Sequence, residues 1–105
     1  MLLDTKDRII LLSILPQEGD VVMLRLLREL KQTIGFSDEE IERLGLSTTE
    51  NGRTVWDEKA ERLVEVDLGE TALSIIKREF RKLNKEQKVK DSHLETYDKF
   101  IDDTE

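Results

Sequence analysis

The sequence has no cysteine, one histidine, one proline and only five aromatic residues. The lack of cysteine excludes disulfide bonds and thiolate metal sites. The longest apolar run, residues 9–12, is far too short to cross a bilayer, and no basic-then-apolar leader is present. We therefore expect a cytoplasmic protein whose 105 residues form a single domain with one modest core.

Motifs that carry enzyme chemistry are also missing. The glycines are isolated at the ends of predicted elements, and neither a nucleophile elbow nor an H-E-x-x-H motif occurs. His93 is the single histidine, and a lone histidine of this kind is usually a titratable surface group. The acidic run at residues 38–42 lacks the spacing of a calcium loop and suits the first turn of a helix. The sequence therefore predicts no catalytic activity, no cofactor and no bound metal.

The net charge of −7 is unevenly distributed along the chain. Residues 1–35 have a net charge of 0, residues 36–70 of −7, residues 71–90 of +5 and residues 91–105 of −5. A basic segment thus separates two acidic ones, which allows them to neutralise one another in the fold.

Residues 20–35 are predicted to form the core helix around which the fold is organised. Asp20 caps its start, Gly35 supplies a left-handed stop, and Arg25 forms an i,i+4 pair with Glu29. Its apolar residues recur at the spacing of one helical face, namely Met23, Leu26, Leu27, Leu30 and Ile34. Three more apolar residues widen this stripe, so we expect packing partners on two sides of the helix; they are Val21, Val22 and Leu24.

Two further helices are predicted on either side of it. The first begins at Asp4 or Thr5, ends before Pro16, and is apolar nearly all round, which predicts burial. The third begins with the S-x-x-E capping box of Ser37 and Glu40 and ends at Gly45.

The residues that follow change to a strand pattern. Asn51-Gly52 lies between two short β-prone segments and predicts a hairpin with a type I′ turn. Residues 64–68 alternate apolar and acidic side chains, which predicts a strand with one buried face. Two or three antiparallel strands are therefore expected between the helical segments.

The rest of the chain returns to a helical pattern. A long helix opens at Gly69 and carries a basic stripe opposite its apolar face. A short last helix starts at Asp91 or Ser92, with Glu95 completing a second candidate capping box, and residues 102–105 form a solvated acidic tail.

The predicted fold is a small, mainly helical α+β domain of about five helices with a short antiparallel wing. Residues 1–45 form the helical part, residues 46–68 the wing, and residues 69–105 the C-terminal helices with the acidic tail. This element order resembles that of a winged helix, in which three helices precede a β wing.

A second resemblance is to small proteins of tailed phages and prophages. It is carried by Leu15-Pro16-Gln17-Glu18-Gly19, by the helix start at residues 35–41, by Val55-Trp56 and by residues 94–100. The resemblance implies a location inside a bacterial host cell and assigns no catalytic or binding residue.

A non-enzymatic module that binds a protein partner, or a second copy of itself as a homodimer, is the first functional hypothesis. Trp56 either anchors the small core or lies in a contact patch, and core anchoring is favoured because tryptophan is highly buried on average. The apolar side of the last helix offers the other candidates for a protein contact, which are Leu94, Tyr97, Phe100 and Ile101.

A winged-helix transcriptional regulator that binds DNA is the alternative. The helix at residues 37–44 would then be the recognition helix, yet its acidic side chains would repel the phosphate backbone. The candidate nucleic-acid contacts lie instead on the long basic helix: Lys77, Arg78, Arg81, Lys82 and Lys85. This hypothesis predicts salt-sensitive duplex binding that Lys77→Glu combined with Arg81→Glu abolishes.

Overall fold

The computed structural model describes residues 1–101 and confirms a small α+β domain. The helices are α1 (Thr5–Ile14), α2 (Val21–Ile34), α3 (Asp38–Leu44), α4 (Glu70–Lys85) and α5 (Leu94–Phe100). The strands are β1 (Leu2–Leu3), β2 (Ser47–Thr48), β3 (Thr54–Val55) and β4 (Val64–Glu65). Two single 3-10 turns, Glu58–Ala60 and Asp91–His93, connect them. The predicted acidic tail lies outside the described residues.

Helix α1 is the helix that holds the core together. It begins at Asp4, whose side chain accepts a hydrogen bond from the Asp7 N–H at 2.7 Å, and it ends before Pro16 as predicted. It packs against α2, α4 and α5, and Leu11 is fully buried. The central position therefore belongs to α1 rather than to α2.

The core is an apolar cluster centred on Phe80 of α4, whose side chain is fully buried. Its ring lies edge-on to Tyr97 with 5.4 Å between ring centroids, and Phe100 lies 6.1 Å away. Such edge-on pairs add to the burial of apolar area. The other members of the cluster are Leu3, Ile10, Leu11, Leu15, Leu27, Leu30, Ile34, Val66, Ile75, Ile76 and Ile101.

The strands form two separate two-stranded sheets instead of one wing. Strand β4 pairs antiparallel with β1, in the register Leu2↔Glu65 and Leu3↔Val64. The pairing continues where the Val66 N–H donates to the Met1 carbonyl at 2.8 Å. Strand β1 was not predicted, because two residues before a helix cap are too few to show an alternating pattern.

The hairpin joins β2 to β3, but its turn is not of type I′. A type I′ turn requires positive φ at both central residues, and here Gly52 has φ 76° while Asn51 stays at negative φ. The Gly52 N–H donates to the Thr49 carbonyl at 2.9 Å, and the Thr49 N–H donates to the Arg53 carbonyl at 2.8 Å. These bonds define a three-residue loop, a type I turn followed by a left-handed glycine.

The helix ends show which predicted caps form. Both bonds of the Ser37 capping box are present, and Gly45 ends α3 at φ 63°. Gly35 ends α2 in an extended rather than a left-handed conformation, with its N–H donating to the Lys31 carbonyl at 2.8 Å. The predicted box at Ser92 is absent, because a 3-10 turn there leads into α5, which has no side-chain cap.

Candidate protein-binding surface

Helix α2 has a strongly amphipathic build that fixes which residues point outward. Asp20 caps it by accepting the Met23 N–H at 2.8 Å. Leu27, Leu30 and Ile34 are buried and define the inward side. With 3.6 residues per turn, the side chains near the start of the helix that lie opposite this side face solvent.

Three apolar side chains in the first turns of α2 are left in solvent. Val21 is 61% exposed, Val22 69% and Leu24 39%. The prediction that α2 has packing partners on two sides is therefore wrong for these residues, since no described element buries them. An apolar patch that a fold leaves uncovered is typical of a contact site.

Two arginines lie on the same outward side. Arg25 and Arg28 are exposed, and neither forms an ion pair with any residue between 1 and 101. The predicted pair of Arg25 with Glu29 is thus not formed. We call the five residues Val21, Val22, Leu24, Arg25 and Arg28 the α2 contact face.

A shallow groove runs along one flank of this face. Its volume is about 390 Å³, and its lining residues are Leu24, Leu27, Arg28, Lys31 and Gln32. The lining of the groove is partly apolar and partly cationic, because arginine and lysine side chains lay their aliphatic part along apolar surface and keep the charged end in water. A partner with apolar and acidic side chains suits such a lining.

The predicted basic residues of α4 also lie close together. We call Lys77, Arg78, Arg81, Lys82 and Lys85 the α4 basic stripe; Lys77 is half-buried and the others are exposed. Arg78 Nη2 lies 3.9 Å from Met23 Sδ, so the stripe borders the first turn of α2. Arg78 also approaches Glu79 on its own helix at 3.7 Å.

Most of the predicted contact residues on α5 are not on the surface. Tyr97, Phe100 and Ile101 are each at most 7% exposed, because they pack into the core of their own chain. A polar substitution at Tyr97 or Phe100 would therefore unfold the domain, which corrects their assignment as an external contact. Leu94 remains 48% exposed.

Trp56 is half-buried, so it is neither a fully buried core anchor nor a fully exposed contact residue. It is not a member of the core cluster. Its indole Nε1–H donates to Glu61 Oε2 at 2.9 Å, and the other oxygen of that carboxylate accepts the Thr5 N–H at 2.7 Å. Trp56 thereby connects the hairpin to the start of α1.

Helix α3 presents an acidic surface that faces away from the core. Asp38, Glu39 and Glu42 are exposed, and Ile41 beside them is 40% exposed. Of the four carboxylates of α3, only Glu40 is half-buried. We call Asp38, Glu39, Ile41 and Glu42 the α3 acidic face.

Arg8 is a buried cation that sequence reasoning missed. Its guanidinium binds both carboxylate oxygens of Glu40, at 2.5 and 3.1 Å, and lies 4.1 Å from the Phe36 ring centroid. Nε donates to the Ile34 carbonyl at 2.8 Å, and Nη2 donates to the Gly35 carbonyl. The one available signal was that the only arginine of α1 stands directly before its longest apolar run, residues 9–12.

This arrangement fixes the corner between α2 and α3. The hydrogen bonds from Arg8 hold the pKa of Glu40 at about 2, against an ordinary value of 4.5. Arg8 also satisfies two carbonyls at the end of α2, which would otherwise lack donors. The pair is therefore part of the scaffold and presents no free charge to a ligand.

A second buried charge joins α1 to α5. Asp7 is 2% exposed, accepts the Thr96 hydroxyl at 2.6 Å, and forms an ion pair with Lys99. Burial raises the pKa of Asp7, but the bonds from Lys99 and Thr96 outweigh it and hold the pKa below 3.8. The same contact raises the pKa of Lys99.

The remaining polar groups do not assemble a reactive site. Burial and the charges of Lys90 and Lys6 lower the pKa of His93. Among residues 1–101, no three side chains of the His, Cys, Asp or Glu type meet at metal-binding distance. None of the helices described is long and apolar enough to span a membrane.

Comparison of the chain with known protein families, with curated proteins and with solved structures found no match. The surface features above are therefore the basis on which a function is proposed.

Proposed function

We propose that this domain is a non-enzymatic protein-interaction module whose binding surface is the α2 contact face. The observation that carries the proposal is the exposure of Val21 and Val22, at 61% and 69%, beside two arginines that have no ion-pair partner among residues 1–101. Apolar area combined with arginine is the composition favoured in protein interfaces. No element among residues 1–101 covers Val21 and Val22, so this face is free to meet a partner.

The interior supports a binding role rather than catalysis. Every buried side-chain nitrogen or oxygen among residues 1–101 has a hydrogen-bond partner. The charged groups nearest the core, Arg8 and Asp7, are used in holding helices together. No described buried polar atom is left to orient a substrate.

The resemblance to phage and prophage proteins supplies the setting of the proposal. On this resemblance we propose that the module acts in the cytoplasm of a bacterial host cell.

A DNA-binding regulator is the second candidate, and the α4 basic stripe is the observation that favours it. Five cations within about two helical turns would contact phosphates on one side of a duplex. Against it, α3, the counterpart of a recognition helix, exposes three carboxylates and would repel the DNA backbone.

Light scattering after gel filtration distinguishes the two candidates. Wild type and Val22→Asp are compared at low and moderate salt, with and without a mixed-sequence duplex. A self-associating interaction module predicts an assembly that ignores DNA and that Val22→Asp dissociates. Asp at this position suits the first turn of a helix, so the variant folds.

The regulator predicts the opposite pattern. A monomer would shift with DNA at low salt, and Lys77→Glu combined with Lys82→Glu would abolish the shift, whereas Val22→Asp would not. That result would overturn the proposed function.

A further inference from the structure

We infer that the α2 contact face binds the α3 acidic face of a second copy of this chain, so that copies join head to tail. The inference rests on the proposed function and names its partner. Three observations support it: the two faces have opposite charges, each exposes apolar side chains, and one lies on the first turns of α2 while the other lies beyond its end.

The two faces match in chemistry. The α2 contact face offers two cations, Arg25 and Arg28, around exposed valines. The α3 acidic face offers three carboxylates around Ile41, which is 40% exposed. No described ion pair neutralises either set of charges. Contact between the faces would bury apolar area on both sides and place opposite charges together.

A symmetric contact of two α2 helices is less favourable. It would bring Arg25 and Arg28 of one copy against the same arginines of the other. Like charges facing each other across an interface oppose association. The same repulsion acts between two α3 acidic faces, which leaves the mixed contact as the pairing that charge favours.

The positions of the faces determine the form of the assembly. Helix α2 has 14 residues and is about 21 Å long at 1.5 Å per residue. The α2 contact face occupies the first two turns, residues 21–28, and α3 follows the end of α2 after only three residues. A copy bound at one face therefore leaves its other face open for a further copy. This is a heterologous contact, which extends into a chain or closes into a ring.

The test mixes two variants, each of which has lost one face. Val22→Asp disables the α2 contact face. Asp38→Asn combined with Glu42→Lys disables the α3 acidic face, and a lysine near the end of α3 suits the helix dipole. Thr71→Asp is the control for the first variant, because it adds the same charge at the same position of another helix. Glu50→Lys, in the exposed hairpin, is the control for the second.

Light scattering at increasing protein concentration supplies the readout. We expect wild type and both controls to exceed the monomer mass of 12.3 kDa, and each face variant to remain at it. The equimolar mixture of the two face variants should reach twice the monomer mass and stop there, since each retains one complementary face. Moderate salt should weaken this pairing.

The contrary outcomes are distinct. Face variants that stay monomeric when mixed would overturn the head-to-tail contact, while the loss of assembly in Val22→Asp would keep the α2 face as the interface. Assembly that persists in Val22→Asp would overturn both the inference and the proposed function. A monomeric wild type would overturn the second copy as partner and leave the α2 face to a different protein.

Discussion

Replacement of Arg8 by methionine measures how much the buried ion pair contributes to the free energy of unfolding. The substitution keeps an unbranched side chain in the core but leaves the Glu40 carboxylate and the Ile34 and Gly35 carbonyls without their donor. Breaking a buried pair in this way costs about 3–5 kcal/mol. The Glu40 side chain retains 21% of its exposure, so water reaches it and the low end of that range is expected.

The pKa of Glu40 gives a second value for the free energy that the Arg8–Glu40 contact contributes to stability. A depression from 4.5 to about 2 corresponds to roughly 3 kcal/mol at about 1.4 kcal/mol per pKa unit. In a domain of this size, about 1 kcal/mol shifts Tm by roughly 4–8 °C. Thermal unfolding of Arg8→Met, followed by circular dichroism at pH 7, should therefore show a Tm at least ~12 °C below wild type.

The pH dependence tests the cause of this loss. Because the folded-state pKa of Glu40 is depressed, its contribution is complete above 4.5 and is lost as the pH falls toward about 2. The difference between wild type and Arg8→Met should narrow over that window. A double variant with Glu40→Gln should lose less than the sum of the single losses. A Tm change under ~3 °C at pH 7, or a difference that stays constant down to pH 2, would refute the reasoning.

Three further predictions concern the scaffold, and thermal and urea unfolding measure each. Asp7→Asn removes the charge that binds Lys99 and should lower the free energy of unfolding by about 2 kcal/mol at neutral pH. Because the pKa of Asp7 is lowered, this difference between the variant and wild type should shrink below pH 3.8. A difference that stays constant with pH would contradict the prediction. Phe80→Ala empties the fully buried centre of the core and should cost about 3–5 kcal/mol; a cost under ~1 kcal/mol would mean that the core is not centred there. Gly69→Ser adds the N-cap side chain that α4 lacks and should raise the free energy of unfolding by roughly 0.5 kcal/mol. Gly45→Ala, at φ 63°, should lower the free energy of unfolding by about 1 kcal/mol. A change of the same sign in both variants would contradict this account.

The starts of α1, α2 and α3 were predictable because the chemistry that sets them is local. The caps at Asp4, Asp20 and Ser37 each bind a backbone N–H three residues away, as the sequence spacing implied. Gly45 likewise ends α3 in the left-handed conformation. The α+β class and the element order followed from these signals.

Features that depend on distant residues were not predictable. The β1–β4 pairing joins residues more than 60 positions apart, and neither strand is long enough to show its register. The bond from Arg8 to Glu40 spans 32 positions. A pattern of apolar spacing finds the inward side of a helix but does not show whether a second apolar side has a neighbour.

The candidate site depends on that last distinction. The wide apolar stripe of α2 was visible in the sequence. That Val21 and Val22 are exposed was visible only in the structure, where no described element covers them. Three of the apolar residues predicted as a contact on α5 are the reverse case, because Tyr97, Phe100 and Ile101 pack into the core cluster around Phe80.

Disulfide capture is the most direct test of the head-to-tail contact, because the chain has no cysteine of its own. One variant carries Val22→Cys and the other Glu42→Cys, and both are oxidised mildly, alone and as an equimolar mixture. The contact described here predicts covalent dimers in the mixture that join positions 22 and 42, identified by peptide mass spectrometry, with little product from either variant alone. Dimers formed by the Val22→Cys variant on its own, with none in the mixture joining 22 to 42, would contradict it.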